Sequence, residues 1–141
     1  MSPISIPGKV TLAKESFRGI TATGGDSVFD ISFDGIRYRV HVFTTVGTSS
    51  FIVTDSGSGL HPAGLGASNT VEYLVIAGGG GGGCRGAAGG GGGGGMLEGS
   101  TPVTIQTYPI VVGAGGIGGL GGTVPYAGTR GGSSSALTTI G

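Results

Sequence analysis

The sequence predicts a mainly β fold with little helix. Short antiparallel strands and hairpins lead into glycine-rich segments of the three-residue-per-turn, polyglycine-II type. Three observations carry this. Residues 28–43 alternate apolar and polar side chains about an Asp34-Gly35 pair, the signature of a two-residue hairpin. Glycine makes up 36 of 141 residues, and 25 of those lie between 78 and 132, far above the usual share of roughly 7%. Between Ala114 and Thr123 the exceptions to glycine, Ala114, Ile117, Leu120 and Thr123, fall at every third residue. That period belongs neither to a strand nor to an α-helix but to an extended three-fold helix.

Residues 1–27 are mixed in character. "KVTLAKESF" reads as a short helix or a strand, and "GITATGG" as turn-rich; the whole is expected to be an attachment arm that orders on a partner. Residues 28–77 form the antiparallel β region. A two-residue loop at Asp34-Gly35 pairs Phe33 with Ile36, Ile31 with Tyr38 and Phe29 with Val40, all on one face. Asp30 then lies opposite Arg39 on the other face, as a solvated pair worth a few tenths of a kcal/mol. Residues 51–54 and 71–77 read as further strands. The second is nearly continuous apolar and is expected to be buried on both faces. Between them, 55–69 is a surface loop carrying His61.

Residues 78–141 form the glycine-rich domain. Two glycine runs, 78–83 and 89–95, flank "CRGAA"; "MLEGSTPVTIQTYPIVV" supplies two strands ending at Val112, and 133–140 is a last candidate strand. Ordering glycine costs roughly 0.5–1 kcal/mol more than ordering alanine, so 25 glycines cost on the order of 10–25 kcal/mol, comparable to a whole domain's stability. Either the region is a flexible linker, or the glycines supply something that only glycine can. The three-residue spacing favours the second. It leaves one edge bearing side chains and two bare edges, along which neighbouring backbones can approach and bond sideways. Residues 78–95 and 113–122 are therefore expected to pack as such helices.

The chemistry-bearing motifs are few. Gly113–Gly118 satisfies G-x-G-x-x-G, but no helix can follow through "GLGGTVPYAGTRGG", and no acidic residue lies beyond Glu98, so a dinucleotide site is not expected. Neither glycine run leads into the G-K-[ST] of a phosphate-binding loop. Charged residues are 10% of the chain and the net charge is zero, which argues against nucleic-acid binding. No apolar stretch approaches 18 residues, and the N-terminus lacks the apolar core of a secretory signal. Cys84 is the one cysteine and, with two histidines, makes a poor metal set; it reads as filling a small-residue slot. Ser49, His41 and Asp30 are present without the spacing of a nucleophile elbow or metal site. No catalytic residue, cofactor or metal is expected.

In order, "YRVHVFTTVGTSSFIV", "VEYLVIAGGGGGG", a second glycine run, "VTIQTYPIVVGAGGIGGLGG" and "GGSSS" resemble the glycine-rich domain of bacteriophage tail fibres and adhesins. The matching points are His41-Val42-Phe43-Thr44, Val71–Gly83 and Tyr108–Gly119, and the likeness covers about residues 38–135. It departs from the usual pattern in the longer loop 55–70 and in ending soon after one glycine unit, as either a short stand-alone virion protein or the start of a longer fibre. The resemblance implies a rigid body of stacked glycine helices whose exposed loops contact a host receptor.

The expected function is that of a non-enzymatic virion structural protein of tail-fibre or adhesin type, assembled in the host cytoplasm. It would be anchored to other virion proteins through the N-terminal region and associated as a homotrimer. A head fibre or capsid-decoration protein is the alternative, and a bacterial glycine-rich surface or ice-binding protein stands behind it. Receptor contact is expected at Asp55–Asn69 and Val124–Arg130, through His61, Tyr126 and Arg130, because loops on rigid scaffolds carry recognition. Neither nucleic acid nor membrane insertion is expected.

Overall fold

The computed structural model describes residues 19–57, 69–85, 88–121 and 127–137. Among them are seven strands and no helix: β1 (Thr21–Thr23), β2 (Ser27–Phe33), β3 (Ile36–Val42), β4 (Gly47–Asp55), β5 (Thr70–Ile76), β6 (Met96–Pro102) and β7 (Thr107–Val112). All pairings between strands are antiparallel.

The β2–β3 hairpin has the register that the turn and the alternation predict, with Phe33 opposite Ile36, Ile31 opposite Tyr38 and Phe29 opposite Val40. Asp34 and Gly35 have φ of 49° and 76°, the positive pair a type I′ turn requires. Asp30 accepts from Arg39 Nε at 2.8 Å and from Arg37 Nη2 at 3.4 Å, and these contacts hold its carboxyl below its ordinary pKa, the Arg39 bond foremost.

A three-stranded sheet in the order β1-β4-β7 holds the core. Alternation along β4 turns Phe51 and Val53 to one face, and β7 adds Tyr108 and Ile110 opposite Phe51 and Ser49. Val103, just past β6, completes this buried cluster. Its amide donates to the Asn69 carbonyl at 2.7 Å, extending the β5–β6 ladder, and its burial seats that pair against the sheet. Pro109 is accommodated because β7 is an edge strand. In "GITATGG" the turn lies at Gly24-Gly25, while Thr21–Thr23 ahead of it form a strand against β4. Gly24 has φ of 109°, and a Cβ there would strike the Ser50 carbonyl oxygen.

The expectation that 71–77 is buried on both faces is corrected. Val71, Tyr73 and Val75 are half-buried, whereas Leu74 and Ile76 are exposed. β5 pairs with β6 in a two-stranded antiparallel ribbon, and among the described residues nothing covers its outer face, so an apolar run does not by itself mean a central strand. β4 also extends further than the expected 51–54.

The glycine segments continue the ladders of the strands that lead into them, with a changed spacing. Ile76 lies opposite Met96 at the end of β5–β6. Beyond it the amides of Ala77, Gly80 and Gly83 donate to the carbonyls of Gly95, Gly92 and Gly89 at 2.8–2.9 Å. Gly78 and Gly81 donate to Gly132 and Thr129, and Gly79 and Gly82 accept from Gly116 and Gly119. Thr129 and Gly132 donate to Ile117 and Ala114, and past them Ser135 and Val111 exchange two bonds of 2.9 Å. Every series steps by three. Segment 77–83 thus sits in the middle, each of its three edges serving a different neighbour: 89–95, 128–134 and 113–119. The fourth member, 128–134, lies outside the two expected segments. Of the candidate strand 133–140, Ser135 bonds Val111 as described, and 138–140 lie outside the described residues.

Candidate functional site

Of the three expected receptor-contact residues, His61 and Tyr126 lie outside the described residues. Arg130 is exposed and follows one of the most tightly held residues of the glycine segments. Thr129 donates its amide to Ile117 O at 2.8 Å, accepts at its carbonyl from Gly81 at 2.9 Å, and accepts at Oγ1 from Ile117 N at 2.7 Å. Two residues further, the Gly132 amide bonds the Ala114 carbonyl at 2.7 Å. The Arg130 guanidinium is therefore carried on backbone fixed at both sides, so little main-chain entropy would be lost on contact.

The loop 55–69 is anchored at both ends. The Asp55 carboxylate accepts from the Gly57 amide at 2.9 Å, a local side-chain turn. Asn69 is tied to Val103 through its carbonyl and, more weakly, its Nδ2. The described start of this loop, Asp55–Gly57, is not placed beside Arg130. Asp55 ends β4 beside Thr21, while Gly47 at the other end of β4 faces Val112, from which the chain enters 113–119. A strand of that length spans about 25 Å, so Asp55 and the segment 113–119 that Thr129 bonds lie toward opposite ends of the sheet.

The side chains of a conceivable catalytic set are engaged separately. Asp30 is held by Arg37 and Arg39. His41 Nδ1 donates to the Gly24 carbonyl at 2.7 Å, with its ring edge-on to Phe51 at 5.1 Å. Ser49 is exposed on β4 opposite Ile110. Among the described residues, no three His, Cys, Asp or Glu side chains are grouped to hold a metal ion, and no helix is long and apolar enough to cross a membrane. Cys84 donates from Sγ to the Leu120 carbonyl at 3.0 Å, closing the end of the glycine segments.

The Asp26 carboxylate has a constellation that sequence reasoning missed. It accepts from the amides and hydroxyls of both Thr44 and Thr45 at 2.6–3.1 Å. These bonds, the Thr44 amide first, hold its pKa at about 2. The staple ties the start of the β2–β3 hairpin to its end. Its signal was an Asp ahead of β2 and a Thr-Thr pair after β3, too far apart in sequence to read as one feature.

The glycine positions divide by what surrounds them. A Cβ at Gly78, Gly81, Gly91, Gly94, Gly113, Gly116, Gly128 or Gly131 would fall on a neighbouring carbonyl, whereas at Gly89, Gly90, Gly92, Gly93 and Gly95 it would meet nothing within 4 Å. The required positions come in pairs three residues apart. The sequence profile of a family described as a glycine-rich domain matches residues 62–141.

The chain belongs to the glycine-rich domain family.

The match takes in β5, β6, β7 and the four glycine segments, and leaves β1 to β4 outside it. The glycine-rich domain nevertheless completes its sheet with β4, through the β4–β7 pairing. Neither the curated proteins nor the solved structures searched give a match to this chain.

Proposed function

We propose that this glycine-rich domain protein is a non-enzymatic structural component of a bacteriophage virion, of tail-fibre or adhesin type, acting in host attachment. The observation that carries the reading is the three-residue bonding among 77–83, 89–95, 113–119 and 128–134, combined with the tail-fibre-like order of motifs around it. Such a lattice satisfies backbone groups without side chains. It suits a rigid, chemically inert spacer that presents loops. In this reading the four segments are polyglycine-II-type helices, and their interior amides exchange with solvent far more slowly than those of a free glycine peptide.

Of the expected arm 1–27, Thr21–Thr23 belong to the core sheet, so the part ahead of β1 serves to meet other virion proteins, with 28–77 as the β region and 78–141 as the glycine-rich body, in a homotrimer. Receptor contact falls to the loops bearing His61 and Tyr126, and to Arg130. Antibody labelling of intact particles tests the assignment. Label at the tail tip supports it, label on the capsid favours the head-fibre alternative, and absence of label from purified particles removes both. A bacterial surface protein would instead label the uninfected cell.

A further inference from the structure

The β2–β3 hairpin meets the core sheet at its base, where His41 bonds Gly24 and lies against Phe51, and among the described residues its strands pair with no other strand. One of its faces carries Phe29, Ile31, Phe33, Ile36, Tyr38 and Val40. Among the described residues no other strand packs along that face. Phe29, Ile31 and Phe33 are 48%, 44% and 72% exposed, whereas Ile36, Tyr38 and Val40 are half-buried. A lone two-stranded hairpin is marginal in water without something packed on it, so a six-residue apolar face calls for a cover.

We propose that the cover is the same face of a second copy of the chain. The inference takes self-association from the reading above, names the surface it uses and replaces the trimer with a pair, because a face seated on its own copy is closed by two chains. Charge selects the occupant. The hairpin's apolar face bears no ionisable group except the Tyr38 hydroxyl, while Asp30, Arg37 and Arg39 sit on the opposite side. The exposed edge bearing Ile117 and Leu120 is uncharged but offers only two large side chains, far less area than the hairpin face, and the exposed face of β5–β6 carries Leu74, Ile76 and Met96 together with Glu72 and Glu98. Docking the hairpin there would strip water from two carboxylates and supply no cation, which is costly. A like face buries no charge. Aromatic side chains present roughly 150–250 Å² each, so the two phenylalanines offer about 200–300 Å² and the whole face about 400–500 Å². Two such faces approach the roughly 1,000 Å² that a specific interface needs.

The test is sedimentation velocity of the full chain and of three variants. Wild type is expected at the mass of two chains, a mass of three overturning the pairing, and Ile31→Lys and Phe33→Lys at the mass of one. Ser32→Lys, on the opposite face, is expected to behave as wild type. Because a lysine could also open the hairpin, a second readout uses Cys84→Ser as background. Ile31→Cys, near the middle of the face, then forms a disulfide between copies under mild oxidant, and Ser32→Cys does not. A monomeric wild type, or lysine variants that assemble normally, overturns the proposal. The outcome is separable from the virion assignment: self-association without particle labelling leaves this interface standing and removes the functional reading, and labelling without self-association does the reverse.

Discussion

Replacing Gly81 by alanine and Gly92 by alanine should have opposite consequences, although both sit in unbroken glycine runs. At Gly81 the new methyl would lie on the Ile117 carbonyl and against the Gly118 nitrogen, both backbone atoms of the neighbouring segment. Segment 77–83 must then move away. Three bonds are within reach of that movement: Gly81 N to Thr129 O, Gly116 N to Gly79 O and Gly119 N to Gly82 O, at 2.9, 2.7 and 2.8 Å. At about 0.5–1.5 kcal/mol each, their loosening costs about 1.5–4.5 kcal/mol. Alanine returns about 0.4–1 kcal/mol by restricting the unfolded chain, leaving a net loss of about 0.5–4 kcal/mol, or roughly 2–12 °C in Tm for a domain of this size. A Cβ added at Gly92 would meet nothing within 4 Å, and the Gly92 carbonyl keeps the bond from Gly80. Only the unfolded-state term remains, so Tm should stay level or rise by about 1–3 °C. Thermal unfolding followed by circular dichroism, with amide exchange at Gly80–Gly83, measures both. Equal losses at the two positions, or an unaffected Gly81→Ala, would refute the idea that side-chain-free contact is what these glycines provide.

Asp26 makes stability pH-dependent in a defined direction. Its folded pKa is depressed to about 2, so its contribution is complete above the ordinary carboxylate pKa of about 4 and fades as pH falls toward 2. NMR titration should find the Asp26 carboxyl and the Thr44 and Thr45 amides moving together in that acid window, and Asp26→Asn should abolish the shared transition. Gly24→Ala places a side chain at positive φ and onto the Ser50 carbonyl; a destabilisation of at least about 1–2 kcal/mol is expected in urea unfolding. Val53→Ala, at a side chain 1% exposed in a small core, should cost about 2–4 kcal/mol, measured the same way. Arg130→Ala should leave Tm unchanged and reduce adsorption of particles carrying the protein, and unaltered adsorption would remove Arg130 from the contact surface.

The candidate site was less legible than the fold. Arg130 could be named as an exposed cation in a turn, but its setting on backbone bonded through Thr129 and Gly132 depends on partners at Ile117, Gly81 and Ala114. The Asp26 staple joins residues 18 and 19 positions apart, and no local pattern announces such a pair.

What the sequence determined by itself is whatever short-range periodicity encodes. Alternation about Asp34-Gly35 sets the hairpin register, because a slip of one residue would exchange its faces. The strands ending at Val112 follow from their apolar content, and the three-residue step follows from Ala114, Ile117 and Leu120. Tertiary structure alone decided which strands share a sheet, which face of β5 remains exposed, and which glycine edges are filled. Glycine has no side chain with which to specify a neighbour, so the partners of 77–83 are selected by how closely backbones can approach and by which amides remain to be bonded. That selection brought in 128–134, where threonine, arginine and serine interrupt the glycine, and it separates Gly81 from Gly92 though nothing in their local sequence does.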